Sequence, residues 1–345
     1  MSWSDFQEYM RKPTHGPLAI VAGAGIHCVP PAAGQSQEKA QDTLASWDGL
    51  LGVLDPGDAH KHVPATIRWE LLSLARGDGE FGDLSAQERV HHLQDEVCQI
   101  LKDEEDSLWN DVTDRLDGSD ERKGLRALLH HPRVTDLVSL NVDLALERMV
   151  GIHNRRVRSA AAAPKGGRRS AERRLNGFRE WSPQGLPPTR FWHPHGDRKA
   201  PRSTVFGLWG YRKRLEALEE ARRLIKEEER RGPDGMAAFR KKVETSPENW
   251  YEVLLFRPLL FVGTSLDAAE WDLWSALVSR WRNFGKSKNR KHQAPAWILT
   301  RPGHHPHLPA SGDQAIKRLE EDEWSAAWKQ LGNPLDPSRH SNRNP

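Results

Sequence analysis

The chain has 345 residues, of which 37% are hydrophobic and 29% are charged. At roughly 150 residues per domain, this length predicts two domains or one large domain with insertions. The 51 basic and 48 acidic residues leave a net charge of only +3, so bulk charge gives no indication of nucleic-acid binding. Two cysteines, Cys28 and Cys98, are too few for a disulfide framework or a four-cysteine zinc site. The longest apolar stretches are too short to span a bilayer, so we expect a cytoplasmic protein without membrane contact.

Short apolar runs separated by helical patterns predict an α/β fold. The runs are Pro17–Ala22, Thr135–Leu140, Thr204–Leu208, Leu259–Val262 and Ala294–Leu299. Continuous apolar runs of this length are typical of parallel strands that are covered on both faces. Between the first two runs, Ser85 and Glu88 form a capping box ahead of a helical pattern. The alternation predicts a Rossmann-type, doubly wound and mainly parallel sheet.

Three segments depart from this alternation, within one domain expected to cover residues 1–331. Residues 40–129 are mostly helical and predict an inserted helical subdomain. Residues 154–186 form a basic, arginine-rich insertion, which is either a flexible solvated loop or a contact for nucleic acid or a partner. Residues 332–345, rich in Pro, Asn, Ser and Arg, predict a disordered tail.

Two helical patterns carry apolar faces that either pack on the chain itself or form an oligomer interface. The pattern of Tyr211–Arg231 has one narrow face, made by Leu215, Leu218, Ala221 and Leu224. Trp271, Trp274 and Trp281 recur at helical spacing after residue 266.

Two motifs follow the first two apolar runs. Gly23-Ala24-Gly25 lets the backbone approach a phosphate closely, although small residues also make tight strand-to-helix turns. Asn141 and Asp143 can aim an amide and a carboxylate into the crevice at the carboxyl end of a parallel sheet. Alternatively, either residue caps the helix Leu144–Val150.

Two further motifs lie in the second half of the chain. His195 is followed by Gly196, and a histidine at a strand end suits acid–base chemistry, although a core histidine bonded to the backbone fits as well. His193 is two residues away, but no third ligand at suitable spacing completes a metal site, so we expect none. Gly263, Thr264 and Ser265 follow an apolar run and either bind ribose or phosphate oxygens or cap a helix.

The order of these four motifs resembles that of the sirtuin superfamily, and more closely that of the sirtuin-like NAD hydrolases of prokaryotic antiphage defence. Trp47-Asp48-Gly49-Leu50-Leu51 and Leu146-Glu147 support the resemblance, which covers Pro17 to Leu331. The chain departs from protein-deacylating sirtuins because no cysteine follows Cys98, whereas they carry four zinc-binding cysteines there. In addition, His27 replaces their usual serine. The resemblance therefore implies NAD chemistry without bound zinc.

The resemblance also implies a role for each matched residue. It implies that Asn141 positions the attacking water or ribose hydroxyl, that Asp143 holds the nicotinamide carboxamide and that His195 is the general base. It further implies pyrophosphate, phosphate or ribose contacts for Gly23, Ala24, Gly25, Gly263, Thr264 and Ser265.

The activity implied is that of an NAD⁺ glycohydrolase, which releases nicotinamide and ADP-ribose and depletes NAD⁺ during abortive infection. The alternatives are an NAD-dependent protein deacylase and a noncatalytic subunit that senses a nucleotide or a nucleic acid. The resemblance also implies a homo-oligomer, a sensor protein encoded nearby, or both.

Overall fold

A computed structural model describes residues 3–12, 15–26, 47–55, 57, 62–76, 83–103, 120–159, 177–264, 266, 270–284, 294–300 and 316–320. The strands are β1 (Leu18–Ala22), β2 (Val134–Ser139), β3 (Arg158–Ser159), β4 (Gly177–Trp181), β5 (Thr189–Trp192), β6 (Leu259–Val262), β7 (Ala296–Thr300) and β8 (Lys317–Glu320). The helices are α1 (Trp3–Arg11), α2 (Trp47–Leu54), α3 (Ala65–Ala75), α4 (Ala86–Asp103), α5 (Asp120–Leu129), α6 (Ala145–Met149), α7 (Gly207–Arg230), α8 (Pro233–Thr245), α9 (Trp250–Phe256) and α10 (Trp271–Phe284).

The strands described form one sheet in the order β3-β4-β5-β2-β1-β6-β7-β8. Strands β5, β2, β1, β6, β7 and β8 are parallel, whereas β3 and β4 pair antiparallel at one edge. The chain runs outward from β1 through β2 to β5 and later returns to β6, on the other side of β1. The expected α/β fold with a mainly parallel sheet is therefore confirmed, and it is compatible with a Rossmann-like fold. The topological switch point lies between β1 and β6.

The central strands are apolar throughout because helices cover both faces of the sheet. Along β1, Ala19 and Val21 pack in one core with α7, α8, α9 and α10, while Ile20 and Ala22 pack in the other with α1 and α5. The alternation follows from the period of two along a strand. All five residues of β1 are buried, which fixes this strand at the centre of the sheet.

Helices α2, α3 and α4 share a third apolar cluster, centred on Leu51, Trp69 and Leu93. Val142 and Phe206 join this cluster to the loops that follow β2 and β5. The capping box before α4 is confirmed, because the Ser85 amide donates to the Glu88 carboxylate at 2.8 Å and the Glu88 amide donates to Ser85 Oγ at 3.3 Å. Within the predicted helical insertion of residues 40–129, residues 40–46, 56, 58–61, 77–82 and 104–119 lie outside the described residues. The insertion as a subdomain stays a prediction.

The predicted strand Thr204–Leu208 is wrong, because α7 begins at Gly207. The Val205 amide donates to the His195 carbonyl at 2.8 Å, and Phe206 packs against the Trp69 ring in the α2–α4 cluster. Gly207 has φ +65°, and a Cβ there would lie 2.4 Å from Trp69. The apolar run thus fills a turn between the strand-end loop and α7. The strand that does lie next to β2 is β5, which is only four residues long.

The basic segment 154–186 contains part of the sheet. Its described residues include β3 and β4, and residues 160–176 lie outside the described part of the chain. Arg158 is exposed, but the Arg179 side chain is only 3% exposed. The interpretation of this segment as a solvated loop is therefore wrong at Arg179, because an arginine can be buried when carboxylates pair with it. Nucleic-acid contact through this segment stays a prediction.

The apolar faces of α7 and α10 pack within the chain. Leu218, Ala221 and Ile225 of α7 are buried in the first core, and Trp274 and Trp281 of α10 pack against it. An oligomer through these residues would need that core to open. Trp271 differs, with 46% of its surface exposed. Among the helices described, none combines the length and the apolar character needed to cross a membrane. The predicted tail 332–345 lies outside the described residues.

Candidate functional site

The four sequence motifs meet at the carboxyl ends of four neighbouring strands, β5, β2, β1 and β6. Short backbone contacts connect the ends of these strands. The Leu140 amide donates to the Ala22 carbonyl at 2.8 Å, which joins the loop after β2 to β1. The Gly25 amide donates to the Gly263 carbonyl at 2.6 Å, which joins the loop after β1 to the loop after β6. In open α/β sheets, ligands bind in the crevice at this edge.

The three glycines at the switch point allow two loops to approach each other closely. A Cβ on Gly23 or Gly25 would lie 2.7 or 2.8 Å from the Gly263 carbonyl oxygen, and a Cβ on Gly263 would lie 2.3 Å from the Ile26 nitrogen. The amides of Gly23 and Gly25 donate to Val262 and Gly263 carbonyls. These contacts explain why glycine occupies each position, and they direct two amides toward protein acceptors. The predicted pyrophosphate contacts of Gly23, Ala24 and Gly25 stay a prediction.

Asn141 and Asp143 are both buried in the loop between β2 and α6. The Asn141 carbonyl oxygen lies 3.1 Å from His193 Nδ1. Asp143 Oδ1 accepts a hydrogen bond from the Ala145 amide at 2.9 Å, at the first residue of α6. The N-cap of α6 is Leu144, which has no side-chain cap, so Asp143 lies one residue before the cap and makes a local bond to the amide two residues further along. The structure brings both residues to the crevice edge but does not test the ligand contacts implied for them.

His195 forms a buried pair with Asp272, a residue that the sequence analysis missed. The ring is 1% exposed, its Nδ1 lies 3.0 Å from the Leu140 carbonyl oxygen, and its Nε2 lies 3.3 Å from the Asp272 carboxylate. Burial is the largest single effect and lowers the pKa of His195, but the charge and hydrogen bond of Asp272, together with the charge of Glu270, outweigh it. The pKa is therefore raised above the ordinary histidine value. Burial alone would raise the pKa of Asp272, whereas His195 holds that pKa below its usual range.

Asp272 lies in the first turn of α10, the helix that follows β6. Its Oδ1 also accepts the Leu273 amide at 2.8 Å, and such a position favours a carboxylate over a neutral acid. The sequence feature that could have indicated Asp272 is an acidic residue at the start of the helix that follows a strand-end motif. Asp272 was missed because the tryptophans around it dominate the pattern of this segment.

His193 forms a second pair, with Glu147 of α6. Its Nε2 makes a short contact with Glu147 Oε1. Burial is the largest single effect and lowers the pKa of His193, but the charge and hydrogen bond of Glu147, together with the charge of Asp197, outweigh it, so the pKa is raised. Arg179 lies 3.9 Å from Glu147 and 3.1 Å from Asp197, which extends the pair to a buried group of four. When His193 is protonated, the two negative charges of the carboxylates and the two positive charges of His193 and Arg179 cancel within this cluster.

Gly196, directly after His195, has φ +80°, and a Cβ there would lie 2.3 Å from the Ser203 carbonyl oxygen. Glycine is required on both grounds, because a side chain would be strained and would clash. The turn positions the His195 carbonyl to accept the Val205 amide. The His-Gly sequence therefore holds the His195 backbone in place beneath α7.

Thr264 is buried, and its Oγ1 accepts the Leu266 amide at 3.1 Å. This is a local contact of a hydroxyl with a nearby amide. The described helix that follows, α10, begins only at Trp271, so the capping of a helix by Thr264 stays a prediction. Ser265 and His27 lie outside the described residues, and the contact predicted for Ser265 stays a prediction.

Within the described ranges, no group of three or more His, Cys, Asp or Glu side chains is arranged to hold a metal ion. Neither protein-family models nor the curated proteins give a match to this chain.

Proposed function

We infer that the chain is an NAD⁺ glycohydrolase, which cleaves the bond between nicotinamide and ribose. The observation that supports this proposal is the meeting of the four motifs at the switch point of the sheet, with the His195–Asp272 pair beside them. A nucleotide-sized ligand is expected at this edge of a doubly wound sheet, and the order of motifs resembles that of enzymes that bind NAD⁺ there.

The chemistry fits the residues that line the edge. Cleavage of the glycosidic bond develops positive charge on the ribose, and nicotinamide leaves as a neutral molecule, so no strong general acid is needed. Water then bonds to the ribose carbon and gives up one proton, which His195 would accept. Asn141 would orient the water, and Asp143 would hold the carboxamide of the nicotinamide. The products are nicotinamide, ADP-ribose and one proton.

The biological setting we propose is the depletion of NAD⁺ in abortive infection, with a homo-oligomer or a separate sensor protein as the activator. We also propose that α2, α3 and α4 are part of an inserted helical subdomain. The separate apolar cluster of these helices supports that view. Their contacts with Val142 and Phe206 would connect this subdomain to the site, so a partner bound there can influence the crevice.

The test is mass spectrometry of NAD⁺ incubated with the protein, alone and with the product of a neighbouring gene. We expect nicotinamide and ADP-ribose in equal amounts. Asn141→Ala should abolish the cleavage, whereas Asn154→Ala, an exposed asparagine far along the loop after α6, should leave the rate unchanged. Equal rates for both variants would contradict the role of Asn141.

Two other outcomes would favour the alternatives. NAD⁺ consumption that requires an acetylated peptide would indicate a deacylase. Nucleotide binding without cleavage, in the presence of every partner tested, would indicate a sensing subunit.

A further inference from the structure

Both ring nitrogens of His195 face acceptors of the protein. The Leu140 carbonyl oxygen, 3.0 Å from Nδ1, can only accept, so Nδ1 carries a hydrogen. The Asp272 carboxylate lies 3.3 Å from Nε2 through Oδ1, and its Oδ2 is equally close. A bare Nε2 lone pair facing a carboxylate would be repelled, so a second proton lies between His195 and Asp272. The His195–Asp272 pair therefore already holds a proton at the position where a general base would accept one.

Among the charged groups around His195, Asp272 has the largest effect on the pKa of the ring, and burial acts against it. From α7, Tyr211 packs its ring edge against His195 at a centroid distance of 5.6 Å, and the Arg214 charge opposes protonation. Glu270, just before α10, acts in the same direction as Asp272, but Asp272 has the larger effect and makes the hydrogen bond. Leu140, on the β2 side, contributes only an uncharged carbonyl group.

We propose that Asp272 is the positioning residue of the site: it orients His195 and holds a shared proton, which the pair must release before His195 can accept a proton from the nucleophile. The catalytic meaning of this inference rests on the proposed NAD⁺ cleavage. The sharing of the proton does not, because it follows from the two contacts of the ring.

The consequence is a pH dependence set by the pair. At low pH the pair is loaded and His195 is unable to act as a base, so the cleavage rate should rise with pH through the raised pKa of the pair. Asp272→Asn keeps an oxygen that accepts from Nε2 but removes the charge. The acid limb, which is the low-pH part of the rate profile where the rate rises with pH, should then move to lower pH by about one pH unit or more. At low pH this shift corresponds to a tenfold or larger gain in the fraction of His195 that is neutral. Asp272→Glu keeps the charge and should keep the limb near its original position.

The first experiment measures protonation without any substrate. Nitrogen NMR of protein labelled at histidine, with the His195 signals assigned from His195→Gln, gives the titration midpoint of the ring directly. We expect Asp272→Asn to lower the midpoint by about one pH unit or more and Asp272→Glu to restore it. Glu252→Gln is the matched control, because it neutralises another buried carboxyl, on α9, and should leave the His195 midpoint unchanged.

The second experiment records the pH profile of kcat/KM for NAD⁺ cleavage by the same variants. An unchanged NMR midpoint in Asp272→Asn overturns the inference, even if the chain cleaves NAD⁺. A lowered midpoint in a chain that cleaves no NAD⁺ under any condition supports the shared proton and overturns the proposed function. A lowered midpoint with an unmoved acid limb overturns the catalytic role of the pair.

Discussion

His193 and His195 are two residues apart and make matching contacts, yet they belong to different environments. Each ring directs Nδ1 to a carbonyl of the loop after β2 and Nε2 to a buried carboxylate. The carboxylate of His193 comes from α6, which packs through Leu146 into the core of α1 and α5. That of His195 comes from α10, which packs into the opposite core. The two pairs thus attach the same loop to helices on both faces of the sheet.

The difference between the pairs lies in the other charges around them. Glu147 shares its charge between His193 and Arg179, and Arg179 also pairs with Asp197, so this cluster is balanced among its own members. Asp272 makes an ion pair with His195, and two further charges act on this pair, because Glu270 raises the pKa of His195 and Arg214 lowers it. We infer from this contrast that the His193 cluster holds the loop in place, while the opposed charges around the His195 pair leave it able to gain or lose a proton.

The largest expected effect comes from breaking the His193 cluster. Arg179→Met leaves Glu147 and Asp197 buried with one histidine, and removing one partner of a buried ion pair costs about 3–5 kcal/mol in the free energy of unfolding. Arg158→Met is the matched control on the neighbouring strand, because the Arg158 side chain is 64% exposed and its pair with Glu180 contributes about 0–1 kcal/mol. Urea unfolding of both variants measures the difference. Similar losses in both would show that the cluster does not stabilise the fold beyond a surface pair.

The burial of Arg179 is a feature that the local sequence does not predict. The basic composition around it predicts solvation, and nothing local distinguishes Arg179 from its neighbours. Its burial depends on Glu147 and Asp197, which come from α6 and from the loop after β5. By contrast, β1, β2, β6 and β7 were predicted within two residues at each end, because a strand covered on both faces has an apolar run of its own.

The candidate site was predictable to the same extent. The positions of Gly23, Asn141, His195 and Thr264 follow from the rule that strand ends of a parallel sheet meet at one edge. The partners that determine their chemistry do not, because Asp272 is distant in sequence and reaches His195 only through the placement of α10. The close approach of Gly25 and Gly263 likewise depends on the pairing of β1 with β6, which no local pattern encodes.

A smaller expected effect is the contribution of His193 and His195 to the pH dependence of the free energy of unfolding. Both have a raised pKa, so the folded chain keeps protons that the unfolded chain loses. Their contribution is fully present below the unfolded pKa of about 6.5 and is lost as pH rises through the folded pKa values. Within that window each histidine lowers the free energy of unfolding by about 1.4 kcal/mol per pH unit.

Urea unfolding over a series of pH values that begins at about 6.5, the ordinary histidine pKa, and extends upward measures this slope. His193→Gln and His195→Gln should each remove the contribution of about one titrating proton to the slope. The double variant should remove both contributions. A slope that only one of the variants reduces would show that only one pair carries a proton across this window. An unchanged slope in all three would contradict both protonation assignments.

The smallest expected effect concerns the local hydrogen bonds that flank the two pairs. Asp143, beside the His193 cluster, and Thr264, near the switch point, each accept the amide two residues further along. Asp143→Ala and Thr264→Ala should each lower the free energy of unfolding by about 1 kcal/mol, because a backbone amide loses its acceptor. Asp143→Asn and Thr264→Ser retain an oxygen at the same place and should keep most of the stability. Urea unfolding of the four variants separates the outcomes.

If the conservative variants lose as much stability as the alanine variants, these side chains do not stabilise the loops through the local bonds. Their burial at the crevice would then need another cause, and a ligand contact is the one that the NAD⁺ proposal supplies.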